Sequence, residues 1–244
     1  MGDIMLRICS VILVLLFPQA VLSYENGMLD LSVPTGLEKG QAEFFVGHRF
    51  YGKIAEEPLD TFFGMDMGAN VRIGLRVALR EKLELGVSHI RLQKEYVVGL
   101  RYAYVVPDRL RSQAAVQFFS FKPGIEERKQ GLFTQLTLQS TPVLKRVTPV
   151  VNFGYDSYEG SAGMGFGLDV GLLEHLSLIG EYFPVLGGDD EVDCFAFGLG
   201  LRTYGHRFMV LLGNSSEIGT RRLMLGTNAR DLYFGFNIGR LLLE

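Results

Sequence analysis

Apolar and polar residues alternate along most of the chain with a period of two, which is typical of β-strands that have two chemically different faces. The pattern is clearest in MDMGANVRIGLRVAL (65–79), where Met, Ala, Val, Ile and Leu side chains share one face. The opposite face carries Asp66, Asn70, Arg72 and Arg76 together with glycine and alanine. Alternation alone fits a soluble β-protein with its apolar face inside and a membrane barrel with its apolar face outside.

The same pattern predicts about twelve antiparallel strands in a single domain, residues 24–244. We find no Pro/Ser-rich linker that would divide this domain, and 214–230 is the long stretch without a strand pattern. The predicted strands are 41–50, 65–79, 83–92, 95–106, 112–121, 131–140, 148–156, 162–173, 176–185, 193–203, 206–214 and 231–242.

Two compositional features favour lipid on the outside of the predicted barrel. The less apolar strand face is rich in glycine and alanine, which weaken a solvated strand but suit a crowded lumen. Most lysines fall in the predicted connections, whereas Arg72, Arg76, Arg101 and Arg202 lie within strands on the small, polar face. Arginine can join a lumen network with carboxylates through five donors.

The predicted connections also alternate in length, with long loops such as 51–64 and 215–230 on one side and short turns such as 80–82 and 204–205 on the other. Outer-membrane barrels show this asymmetry. The sequence therefore predicts an all-β, up-and-down transmembrane β-barrel. A soluble secreted barrel that binds a small apolar ligand is the alternative fold.

The chain contains no tryptophan, although membrane barrels commonly carry aromatic residues at both membrane interfaces. Phenylalanines and several tyrosines are expected to take this role. These tyrosines are Tyr96, Tyr102, Tyr104, Tyr155 and Tyr182.

The N-terminus has the pattern of a cleaved secretory signal peptide over residues 1–23. Arg7 supplies positive charge, 8–17 is apolar, and small residues precede a cleavage site after Ser23. Asp3 is unusual in such a segment, so Met5 is an alternative start to Met1. Removal of the signal would leave Cys194 as the single thiol, which excludes an internal disulfide.

Charge and motifs exclude several functions. A formal net charge of −3 gives no basic surface for nucleic acid. His48, His89, His175 and His206 lie outside the motifs of zinc or serine hydrolases, and no metal site or cofactor is predicted. A non-enzyme is expected, with a hydrolase built from residues distant in sequence as the alternative.

The functional hypothesis rests on the polar face, which would line the lumen. A mixture of acids and arginines there indicates either a porin-like passive channel for small polar solutes or a salt-bridged plug that only stabilises the fold. Arg221, Arg222 and Arg230, in the loop 214–230, would constrict the outer mouth. The predicted lumen-lining residues are Asp66, Asn70, Arg72, Arg76, Glu84, Arg101, Asp169, Glu181, Arg202 and Asn237.

Four segments resemble an uncharacterised family of bacterial outer-membrane β-barrel proteins whose domain has no known function. They are FFVGHRF (44–50), FFGMDMGANVRIGLRVAL (62–79), LLGNSSEIGT (211–220) and DLYFGFNIGR (231–240). The resemblance implies residence in the outer membrane, contact with its lipid and insertion by the barrel-assembly machinery. It implies no substrate. The chain ends in RLLLE, without the terminal aromatic residue of many such barrels.

Overall fold

Twelve antiparallel strands form a closed barrel, in which each strand pairs with its neighbours in sequence and the last strand closes onto the first. The computed structural model describes residues 27–34, 36–106, 110–144, 146–186 and 191–242. The predicted signal peptide, 1–23, lies outside the described residues.

The strands are β1 (Ala42–Lys53), β2 (Ala69–Arg80), β3 (Leu83–Ile90), β4 (Glu95–Val106), β5 (Leu110–Phe121), β6 (Lys129–Ser140), β7 (Val147–Asp156), β8 (Ser161–Gly171), β9 (Leu176–Phe183), β10 (Cys194–Thr203), β11 (His206–Gly213) and β12 (Tyr233–Leu242). A short helix, α1 (Thr220–Leu223), interrupts the longest loop, and Leu92–Lys94 form a single 3₁₀ turn. Among the described residues, no helix is both long and apolar enough to cross a membrane. The predicted up-and-down barrel of about twelve strands is confirmed.

One strand boundary was wrong in a way that matters for the site. β2 begins at Ala69 and not at residue 65, because Gly64 and Gly68 adopt positive φ angles of 80° and 83° and the chain turns there. Asp66 therefore lies in an exposed loop outside the barrel wall.

The connections separate the barrel into two different ends. Turns such as 81–82 and 204–205 form one end, which we call the short-turn rim. Longer loops, including 54–68 and 214–232, form the other end, the long-loop rim. In outer-membrane barrels the short turns face the periplasm and the long loops face the exterior.

The outer surface of the barrel is an apolar belt. Outward side chains such as Ile73, Val98 and Leu199 are 48%, 46% and 43% exposed, while their strand neighbours point inward and are more buried. Tyr102 and Tyr104 lie toward the short-turn rim, and Tyr96, Tyr155 and Tyr182 toward the long-loop rim. The Met/Val/Ile/Leu face is thus the outer face, which contradicts the soluble-barrel alternative.

The apolar belt leads to a test of orientation. Substitution of Ile73, near the middle of β2, by arginine should destabilise the barrel by about 2–4 kcal/mol in lipid, because a charge would face hydrocarbon. Leu79 also points outward but lies at the short-turn rim, so the matched Leu79→Arg variant should cost only about 0–1 kcal/mol. Urea titration in lipid vesicles measures both, and equal costs would contradict the assigned membrane depth.

Within the described ranges, two segments of the chain lie in the lumen. Residues 27–34, which we call the N-terminal segment, lie inside the barrel, and Met28, Leu29, Leu31 and Val33 are at most 6% exposed. Residues 214–226, the loop insert, fold in from the long-loop rim and bury Leu223 and Met224. Together they form what we call the plug.

The plug packs on aromatic residues that also point inward. Phe119, Phe133 and Phe183 are at most 2% exposed and belong to the same apolar cluster as Leu31 and Met224. The expectation of a small, polar inner face therefore holds for β2 and β8 but is incomplete for β5, β6 and β9.

Candidate functional site: the filled lumen

The backbone of the N-terminal segment is held by side chains of the barrel wall. Glu181 accepts hydrogen bonds from the backbone N–H groups of Asp30 (2.9 and 3.0 Å) and Leu31 (3.0 Å). Asn152 accepts from the N–H of Ser32 and donates to its carbonyl, both at 2.9 Å. Asn237 donates to the Leu29 carbonyl at 2.5 Å. These contacts satisfy polar groups that burial would otherwise penalise.

Asp30 connects the two parts of the plug to the wall. Its carboxylate accepts from Arg49 Nη2 at 2.6 Å and from the backbone N–H of Gly219 at 2.8 Å. Its carbonyl accepts from the Thr220 hydroxyl at 2.8 Å. The Arg49 and Asp30 side chains are 2% and 3% exposed. One carboxylate thus joins the N-terminal segment, β1 and the loop insert.

Two arginines of α1 fasten the loop insert at the long-loop rim. Arg221 pairs with Glu95 at 2.5 Å and with Asp156 at 2.8 Å, which spans the lumen from β4 to β7. Arg222 also reaches Glu95, at 2.8 Å. The Arg221 guanidinium lies 3.8 Å from the centre of the Phe119 ring, a cation–π contact. Both arginines are nearly buried, so each ion pair replaces lost hydration.

Glu217 adds a further acid to the loop insert. Burial raises the pKa of its carboxyl, and the positive charges of Arg222 and Arg221 oppose that rise. Arg230, in contrast, is exposed. The expected constriction by this loop therefore involves Arg221 and Arg222, which enter the lumen, and not Arg230.

Three of the predicted lumen residues bind the plug directly. Glu181 and Asn237 hold the N-terminal segment as described, and Asn70 donates to the Ser216 carbonyl of the loop insert at 2.9 Å. Asn70 Oδ1 also accepts from the N–H of Leu92, which fixes the adjacent turn.

Two others form ion pairs within the wall. Arg76 pairs with Glu43, and Asp169 pairs with Arg207 at 3.1 Å. Arg72, Glu84, Arg101 and Arg202 have no ion pair within 4 Å among the described residues. The prediction that Asp66 lines the lumen was wrong, because Asp66 lies in an exposed loop.

Several residues of the site escaped sequence reasoning. Arg49 and Asp156 lie in predicted strands, and the alternation places their side chains on the inner face. Their ion-pair partners, however, lie in the plug, whose position the sequence does not indicate. Glu95 and Asn152 were missed for the same reason. The residues 28–32, MLDLS, show an apolar and polar alternation of their own, yet nothing in the sequence indicates that they occupy the lumen.

Glycines of β8 make room for the plug. A Cβ atom added to Gly163 would lie 2.5 Å from Met224 Cβ, and one added to Gly165 would lie 2.7 Å from side-chain atoms of Leu31 and Phe183. Real atoms do not approach so closely, so the small residues permit the plug to pack against the wall. The predicted crowding of the glycine-rich face is thereby explained.

Cavities remain around the plug within the described part of the chain. One, of about 150 Å³, lies between the N-terminal segment, the loop insert and the wall of β1, β2 and β4. Another, of about 650 Å³, lies at the short-turn rim and is lined in part by Arg111, Arg146 and Arg202. Gly27, Met28 and Val33 line both cavities, so the N-terminal segment forms part of the wall between them.

Three of the described histidines make backbone or ring contacts. His89 and His206 contact backbone carbonyls at 3.0 and 3.2 Å, and His48 stacks on Phe236 on the outer surface. Over the described ranges, no group of three or more His, Cys, Asp or Glu residues is placed to hold a metal ion.

Solved structures with similar folds include porins. The KdgM porin superposes with a TM-score of 0.54 at 8% identity, covering 83% of this chain and 99% of that chain. The NanC porin gives 0.50 at 10% identity, covering 83% and 100%. Outer membrane phospholipase A from Escherichia coli gives 0.47 at 12% identity, covering 87% and 95%. At these identities the similarity concerns the fold alone.

Sequence comparison gives the family. The search of curated proteins found no match. A family model described as a membrane-bound beta barrel domain matches residues 28–120 and 129–242, which include nearly all of the N-terminal segment and of the strands and the whole loop insert. The matched residues thus contain both the barrel and its plug, and the chain belongs to the DUF5777 family of membrane-bound beta barrel domains.

Proposed function

We propose that this protein is an outer-membrane channel for small polar solutes and that its own plug closes it. The barrel has a fold similar to that of porins, and the inner face of its wall carries charged and amide side chains. The main support for this proposal is the way in which the N-terminal segment is held in the lumen. Within the described residues, positions 27–34 form no backbone–backbone hydrogen bond with the wall, and side chains supply the polar contacts.

This attachment makes the plug separable from the barrel. The strands pair with one another around the closed barrel, and residues 27–34 contribute no backbone hydrogen bond to that pairing. Each neutral side-chain contact contributes about 0.5–1.5 kcal/mol and each contact to a charged group about 1.5–3 kcal/mol. A movement of the plug would therefore break a limited set of bonds and would not unfold the barrel.

The Asp30→Ala variant tests the proposal. It removes the acceptor of both Arg49 and Gly219 and breaks a buried ion pair, so the closed state should lose about 3–5 kcal/mol, and channel open probability in planar bilayers should rise by roughly 10²-fold or more. Asp60→Ala removes the same charge from the exposed loop 54–68 and should leave the conductance as in the unchanged protein.

Folding is checked separately by the heat-dependent shift in gel mobility of a closed barrel. If folded protein and folded Asp30→Ala never conduct, the channel proposal fails. The filled lumen would then favour a non-conducting barrel with a structural or surface-interaction role. We further expect contact with outer-membrane lipid and insertion by the barrel-assembly machinery. Depletion of that machinery should leave the protein without its heat-dependent mobility shift.

A further inference from the structure

The cavity beside the plug is strongly enriched in arginine. Its lining contains six arginines and three carboxylates, and a small extension between Arg72, Arg76 and Arg101 is lined by no acidic residue. Buried positive charge is costly unless an anion balances it. The cavity therefore has an unbalanced positive wall on the side of β2 and β4.

The three lining carboxylates are already committed to other arginines. Asp30 pairs with Arg49, Glu43 pairs with Arg76, and Glu95 is shared by Arg221 and Arg222.

Arg72 and Arg101 face the same cavity without an ion pair or a hydrogen bond to any described residue. Arg72 Nε is buried and has no partner. Glu84 pairs in register with Arg101 across β3 and β4, but it does not line the cavity. Even if Glu84 approached Arg101, Arg72 would remain without a directly bonded anion, since the nearest acids, Asp30, Glu95 and Glu43, act on it only at longer range.

The rest of the cavity wall is apolar. Phe45 lies beneath the Arg72 guanidinium, with 5.0 Å between the guanidinium carbon and the ring centre. Val97, Phe119 and Met209 line the same space. A volume of about 150 Å³ corresponds to on the order of ten water-sized positions. A free inorganic anion would leave this apolar surface without a contact.

We propose that this cavity is a binding site for a small organic carboxylate with an apolar body. The carboxylate accepts hydrogen bonds from Arg72 and Arg101, because a planar guanidinium matches the two oxygens of a carboxylate. The apolar body lies against Phe45, Val97 and Met209. Entry from the short-turn rim requires movement of the N-terminal segment, because Gly27, Met28 and Val33 separate this site from the larger cavity.

Calorimetric titration of the refolded full chain in detergent tests the site, with sodium benzoate as the probe. Saturable, one-to-one binding of benzoate is expected. Benzamide has the same shape without the charge, and inorganic phosphate has the charge without the ring, so each should bind at least tenfold more weakly. Failure of the folded protein to bind benzoate, or equal binding of phosphate, would overturn the proposal.

Matched variants locate the binding. Arg72→Gln and Arg101→Gln should each weaken benzoate binding at least tenfold, equivalent to about 1.4 kcal/mol. Arg80→Gln removes the same charge from an exposed position at the end of β2 and should have no effect. Unchanged benzoate affinity in both lumen variants, with the mobility shift retained, would show that the probe binds elsewhere and would overturn the assignment.

The binding site does not depend on conduction. A protein that binds benzoate but never conducts would retain the site and lose the channel proposal. A protein that conducts but does not bind benzoate would retain the channel and lose the site.

Discussion

Substitution of Arg221 by alanine is expected to release the loop insert from the lumen. The change leaves Glu95 without its 2.5 Å partner and Asp156 without its 2.8 Å partner, both in buried positions. Removal of one member of a buried ion pair costs about 3–5 kcal/mol. The inserted state should lose population by roughly 10²- to 4 × 10³-fold relative to the released state.

Hydrogen exchange and conductance measure this release. Amides of residues 214–226 should lose protection while those of the strands keep it, and open probability should rise with the released fraction. Arg230→Ala is the matched control, since it removes the same charge from an exposed position of the same loop. Preserved protection of 214–226 in Arg221→Ala would show that the ion pairs do not hold the loop insert.

Enlargement of a lumen side chain should increase conductance in this barrel. Leucine at Gly163 would occupy space now taken by Met224, whose Cβ lies 2.5 Å from the position of the added Cβ. Because this contact involves an atom close to the backbone, the loop insert must move and not merely rotate one side chain. Overpacking typically costs about 1–3 kcal/mol, so the open fraction should rise roughly 5- to 150-fold.

Whether conductance rises or falls in Gly163→Leu distinguishes a plugged barrel from an open pore. In an open pore, a larger inward side chain narrows the passage and lowers conductance, whereas in a plugged barrel it expels the plug. Gly180→Leu is the control, because a Cβ at Gly180 meets no atom within 4 Å. A folded Gly163→Leu variant with lower conductance than the unchanged protein would contradict the plug as the closing element.

The barrel itself was predictable because its rules are local. Period-two alternation gave the strands, and the uneven connections gave the two rims, without any knowledge of long-range contacts. β2 shows where the rule fails. The alternation of Met65, Asp66 and Met67 extends beyond the strand, and only the backbone angles of Gly64 and Gly68 end it.

The contents of the lumen were not predictable because they depend on contacts between distant residues. Asp30 contacts Arg49 and Gly219, and Arg221 contacts Glu95 and Asp156. The sequence pattern of neither plug segment predicts that it lies inside the barrel. Phe118 and Phe119 illustrate the same limit. Adjacent aromatic residues in β5 point outward and inward, and the sequence does not reveal that the inner ring packs against a plug.

The contact between Leu29 and Asn237 also fixes an order of assembly. These residues are 208 positions apart, and Asn237 belongs to β12, the last strand to be synthesised. We expect residues 29–32 to complete their contacts only when β12 is in place beside them. Such long-range contacts form late because the intervening chain must first be ordered. We therefore expect the first segment of the described chain to be synthesised to be among the last to reach its final position.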